Sequence, residues 1–182
     1  RYVDDQIYAQ PLVVSNVNIP ATGLRNIVIT ETVNNSVYAF DADSAGIVNP
    51  YWQINLTPQG SRVIKNADMT GACGGNYKDF SGNMGIVGTP VIDSTTNTMY
   101  LVARSVTLAP DSVFQQYLHA IDITTGAEKP NSPVLITAQV PGYGIGNQGG
   151  VITFNSQKQN QRAGLLLLNG IVYITWASHC DW

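Results

Sequence analysis

Charge is scarce in this sequence. Asp, Glu, Lys and Arg together make up 12% of its 182 residues, about half the usual share. The formal net charge is −3 and no basic patch is present, which argues against nucleic acid as a partner. Disorder is excluded as well, because hydrophobic residues reach 44%. Long apolar runs are missing. The most apolar stretch, Leu165 to Ala177, is interrupted by Asn169-Gly170 and is too short to span a bilayer as a helix; it reads as a buried hairpin. No window keeps apolar residues at i, i+3, i+4 and i+7 for a dozen positions, so no helix is expected. The chain opens Arg1-Tyr2-Val3 without Met or a signal peptide, as expected after removal of a leader or for an internal fragment.

The vocabulary of catalysis is equally thin. There is no Gly-x-Ser-x-Gly elbow, and the two histidines, His119 and His179, offer no Ser-His-Asp arrangement. The scattered aspartates end strands, where turns account for them. Cys73 and Cys180 are the only cysteines. Neither has a second ligand at metal-binding spacing, which argues against zinc. In a reducing compartment they are free thiols; in an oxidising one they form a single disulfide that closes a very long loop.

What remains is turns and strands. Seventeen Gly and nine Pro suit short strands joined by tight turns. Asn26 to Thr32 reads as a strand, Asn34-Asn35 as a turn and Ser36 to Asp41 as its return. Val91-Ile92, the polar turn 93–97, Thr98 to Arg104 and Gln116 to Asp122 continue the pattern. The clearest hairpin is Leu165–Leu168 and Ile171–Trp176 around Asn169-Gly170. The pieces repeat: Val37-Tyr38-Ala39-Phe40-Asp41 with the turn to Gly46 aligns with Leu118-His119-Ala120-Ile121-Asp122 and the turn to Gly126. Upstream, Gln10-Pro11-Leu12-Val13 aligns with Thr89-Pro90-Val91-Ile92. Asp41 and Asp122 lie 81 positions apart, whereas a plain propeller blade takes about 40–50 residues. Long inter-strand loops at 57–85 and 141–162 account for the difference.

These units resemble the repeat of quinoprotein-like β-propellers, the pyrroloquinoline-quinone (PQQ) repeat: an apolar strand ending in Asp, a Thr-Gly turn and often a Trp soon after. Trp52 fills that last place in the first unit; Leu135-Ile136 stand there in the second. Nearly the whole chain is similar to secreted PQQ-repeat-like proteins of bacteria and fungi, through Tyr8 to Leu12, Ser36 to Asp43, Gly88 to Asp93 and Leu165 to Asp181. The resemblance implies an all-β fold, with residues 1–182 forming about two to three blades of one β-propeller. It also implies an extracellular or periplasmic location. Open blade faces are then expected to be covered by the remainder of the propeller, by another subunit or by a second copy of the chain. No membrane span is expected. The functional expectation is a non-enzymatic binding or assembly module without a cofactor. The alternative is a fragment of a PQQ-dependent dehydrogenase, with quinone and calcium.

Other motifs carry less. Gly144 to Gly149 matches GxGxxG, but a strand-like segment follows and no acidic residue comes before Asp181, so a dinucleotide site is not expected. Asp41 to Gly46 lacks the closing Glu of a calcium loop. In an extended chain His179 and Asp181 share a face and Cys180 does not. With Trp176 and Trp182 they form a candidate binding surface for sugars or peptides. Asn34 and Asn55 begin N-x-Ser/Thr sequons, Asn34 at a hairpin tip, and are candidates for glycosylation.

Overall fold

The computed structural model describes residues 1–80, 82–108 and 110–182. The chain is all-β, built from antiparallel pairs, and none of its sheets closes on itself. Among the described residues the helical content is three short 3₁₀ turns, at Asn66–Asp68, Ala72–Gly75 and His179–Asp181.

The first sheet is a four-stranded meander of β1 (Leu12–Ile19), β2 (Gly23–Glu31), β3 (Ser36–Asp41) and β4 (Trp52–Asn55). In the second sheet β5 (Ser61–Arg62) and β6 (Val91–Asp93) share one edge of β7 (Thr98–Thr107). Beyond β7 come β8 (Phe114–Asp122) and β9 (Val134–Leu135). The remaining strands pair in twos: β10 (Gln139–Pro141) with β11 (Val151–Thr153), β12 (Gln159–Asn160) with β15 (Ala177–Ser178), and β13 (Leu166–Leu168) with β14 (Ile171–Tyr173). The β13–β14 turn is Asn169-Gly170, both at positive φ, the backbone that a two-residue hairpin with the right twist requires.

Alternation along the strands builds the main core. Ile27 and Ile29 of β2 and Val37 and Ala39 of β3 pack with Met99, Leu101 and Ala103 of β7 and Ile121 of β8. Successive residues of a strand point to opposite faces, so each set lines one face of its sheet and the two sheets bury those faces against each other. Trp52 locks the interface: its indole N–H donates to the Ile123 carbonyl at 2.9 Å, and its ring lies on Gly126 of the following turn.

The segment 57–85 is not a loose excursion. Ile64, Met69, Tyr77, Phe80 and Met84 make a second buried cluster with Val33 and Val106. Cys73 and Cys180 are disulfide-bonded with their Cα atoms 5.4 Å apart, which ties this cluster to the last turn of the chain. Both cysteines take positive φ.

The hairpin β13–β14 forms where expected, but one of its faces is open. Register places Leu166 opposite Tyr173 and Leu168 opposite Ile171, so all four share a face. Each is about half exposed, from 46% to 56%. The expectation of a buried hairpin is corrected to this extent: no described residue covers that face.

Candidate functional site

The site is assembled around a charged residue in an apolar strand. Arg104 interrupts the run Leu101-Val102-Ala103 of β7 and points away from the main core, on the face opposite Ala103 and Ser105. It is 1% exposed. Burial pulls its ionisation down to about 10, which leaves it charged at neutral pH. One terminal nitrogen donates to Asn160 Oδ1 at 3.2 Å and the other meets His179 Nε2 at 2.8 Å.

That second contact settles the histidine tautomer. A guanidinium only donates, so His179 Nε2 accepts and its Nδ1 carries the proton, donated to the Tyr77 hydroxyl at 2.6 Å. Burial first, and the Arg104 charge second, push His179 down to about 4, so it is neutral under ordinary conditions. Tyr77 stands edge-on to the imidazole, ring centroids 5.0 Å apart. Burial, reinforced by the Asp79 carboxylate beside it, raises the ionisation of its phenol. A hydrogen-bonded line therefore runs from the fully buried Arg104 through His179 to Tyr77, and it ends beside exposed Asp79.

Tyr77 and His179, the outer members of this line, border an open cleft of about 430 Å³ together with Asp79, Asn160, Arg162, Thr175 and Trp176, and Arg104 supports them from beneath. Trp176 is fixed from behind: its indole N–H donates to Gln116 Oε1 at 2.9 Å, and Phe154 packs against its ring edge-on. Gln116 is itself fully buried, its amide donating to the Ser156 and Gln159 carbonyls.

The four residues proposed as one binding surface are divided by the structure. Trp176 and His179 border this cleft, while Asp181 and Trp182 border a neighbouring one of about 560 Å³ with Lys158, Ile152 and Phe154. The extended geometry expected for His179 to Asp181 is replaced by a 3₁₀ turn with Cys180 and Asp181 at positive φ. This turn buries His179 and leaves Asp181 exposed. It also lets Cys180 reach Cys73. Trp182 lies over Gly71, with the Lys158 ammonium 4.7 Å from its ring centre.

Arg104, Asn160 and Arg162 did not stand out in the sequence. The one usable signal was a lone cation inside an apolar strand, a residue type that is buried only when partnered.

His119 and Glu31 are buried away from this cleft. His119 Nδ1 meets Glu128 at 2.8 Å, and Ser132 donates to the same carboxylate. The serine bonds to the acid rather than to the imidazole, and the far nitrogen, Nε2, is buried without a partner. This is the reverse of a nucleophilic triad, in which the imidazole takes the serine proton. Glu31 lies at the end of the β2 face that carries Ile27 and Ile29. It is fully buried, with neither carboxyl oxygen hydrogen-bonded, and burial raises it to about 8.

The acidic turn 41–46 is satisfied internally: Asp41 accepts from the Tyr51 hydroxyl and the Asp43 amide, and Asp43 accepts from Asn26. The segment Gly144 to Gly149 is a turn with Ile145 fully exposed, and a strand, β11, follows it. Of the two sequon asparagines, Asn34 is half-buried and donates its amide to Asp4 at 2.7 Å, a bond that a glycan on that nitrogen has to displace. Asn55 is exposed, with its amide on the Asn34 carbonyl.

No protein-family model matches the chain, and neither a curated protein nor a solved structure matches it.

Proposed function

We propose that the chain is a segment of a secreted β-propeller of PQQ-like repeats that works as a non-enzymatic binding and assembly module. The observation that carries the functional reading is the open face of β13–β14. Four large apolar side chains on one side of a hairpin, each about half exposed, are costly in water and mark a surface made to be covered. The covering element is a further sheet of the same construction.

Repeat geometry supports the propeller. Three unit beginnings meet at Thr89: its hydroxyl accepts from the Gln10 amide and its carbonyl from the Leu165 amide. The strands that follow, β1, β6 and β13, thus start side by side, with β13 packed along β6. Such convergence of first strands is what radial repetition about an axis produces. The Cys73–Cys180 disulfide fits an oxidising compartment. Among the described residues no helix is long and apolar enough to cross a membrane.

Light scattering on the purified chain tests the assembly reading. The chain is expected to self-associate, and Leu168→Lys with Ile171→Lys to return it to a monomer. An unsubstituted chain that stays monomeric overturns it. An absorbance spectrum tests the non-enzymatic part: a bound quinone chromophore would favour the dehydrogenase alternative instead.

A further inference from the structure

We propose that the cleft above Tyr77 binds a neutral polyhydroxylated ligand, a sugar ring, stacked on Trp176 and bridging Asp79 and Arg162. The inference stands on the cleft alone and is independent of the propeller reading.

The charges point to the ligand class. Asp79 and Arg162 both act on the Tyr77 hydroxyl and both border the cleft, so they face the same space. Yet no ion pair joins them; the ion pairs among the described residues are Arg62–Asp68, His119–Glu128 and Lys129–Asp122. A carboxylate and a guanidinium held near each other but not in contact present an acceptor and a fork of donors at once. A hydroxyl answers both, because it donates to the carboxylate and accepts from the guanidinium. Neighbouring hydroxyls on a ring span such a gap without bringing in charge. The opposite charges of Asp79 and Arg162 offset each other, so the pair gives a ligand of either net charge little advantage over a neutral one.

The other walls are of the same kind. Trp176 borders the cleft, and an indole is a surface on which the apolar face of a sugar ring stacks. Thr175 and Asn160 add neutral polar groups at the rim. The volume, about 430 Å³, falls in the range of small-molecule sites.

Preorganisation is the second line of argument. Gln116 holds Trp176 from a fully buried position. The Arg104–His179 contact holds the Tyr77 hydroxyl, and the disulfide fixes the turn that carries His179. Side chains already immobilised lose little entropy when a ligand arrives. This accounts for the use of a buried cation in a strand that an apolar residue would otherwise fill.

Tryptophan fluorescence and saturation-transfer NMR on the intact chain test the proposal, with D-glucose, N-acetyl-D-glucosamine and cellobiose as probes and L-serine as a zwitterionic counter-probe. Saturable binding of at least one sugar is expected. Loss of the charged hydrogen bond in Asp79→Asn is expected to weaken it about tenfold; Asp79 is exposed, so this variant keeps the fold. Ile145→Ala, at a fully exposed residue of the neighbouring cleft, is expected to bind as the parent does. Failure of all three sugars to saturate, binding of L-serine in their place, or unchanged affinity in Asp79→Asn overturns the proposal.

Discussion

Two buried titratable residues pull stability in opposite directions with pH. Glu31 titrates near 8 in the folded chain, against 4.5 ordinarily. Between those values the folded state holds a proton that the unfolded state has released, so this residue makes stability fall as pH rises. His179 titrates near 4, against 6.5 ordinarily. Between those values the unfolded state holds the extra proton, so here stability rises with pH. From about 4.5 to 6.5 the two slopes offset each other. From about 6.5 to 8 Glu31 acts alone and stability declines. Below the usual carboxylate range Asp4 and Asp68 add their own loss. Partial desolvation pushes both up, yet both are held low by hydrogen bonds, Asp4 from Ser36, Asn34 and Thr32, and Asp68 from Arg62 and the Lys65 amide. Urea midpoints measured across pH are therefore expected to show a plateau and an alkaline decline, and Glu31→Gln to abolish the decline. A decline that persists in Glu31→Gln assigns it to another group.

At the scale of elements, the strands were legible and their insertions were not. β2, β3, β7 and β8 announce themselves by runs of apolar and β-branched residues between turn residues; β3 and β7 are buried on both faces, and Glu31 of β2 and Arg104 of β7 are ionisable residues buried within such runs. The segment 57–85 gave no such signal. Its cluster is made by Ile64, Met69, Tyr77 and Phe80, brought together by 3₁₀ turns that have no period long enough to read. The cleft was hidden for a related reason. Arg104 lies in β7, while its partners Asn160 and His179 follow 56 and 75 positions later. Only pairing of distant strands joins them. The disulfide could be read only as a pair of candidates, and its consequence belongs at this scale. It spans 107 positions, and closing a loop of that length stabilises a fold by about 2–5 kcal/mol. Cys73→Ser with Cys180→Ser is expected to lower stability by that order. It is also expected to speed hydrogen exchange first at Tyr77 and His179, which the bond holds in register, with β2 and β3 little changed. Uniform acceleration across both sheets would show that the bond supports the whole chain rather than the cleft.

At the scale of the molecule, the docking of one sheet on the next rests on a close contact between Trp52 and the turn that ends the second repeat. Gly126 has φ +77°, and a Cβ built there falls 2.7 Å from the Trp52 ring. Glycine is thus required twice, once by the backbone and once by the approach of the indole. The Thr125-Gly126 turn is thus the seat for Trp52. Gly126→Ala is expected to cost about 2–4 kcal/mol, about 1 from the left-handed backbone and the rest from overpacking. The two parts are separable. In a Trp52→Leu background the ring is gone, so the same substitution is expected to cost only the backbone part, and the two changes should be strongly non-additive in urea unfolding. Equal costs in both backgrounds would mean that the sheets are held together by the Ile27, Ile29, Met99 and Leu101 core alone. The repeated turn would then be a local feature of each unit rather than the joint between units.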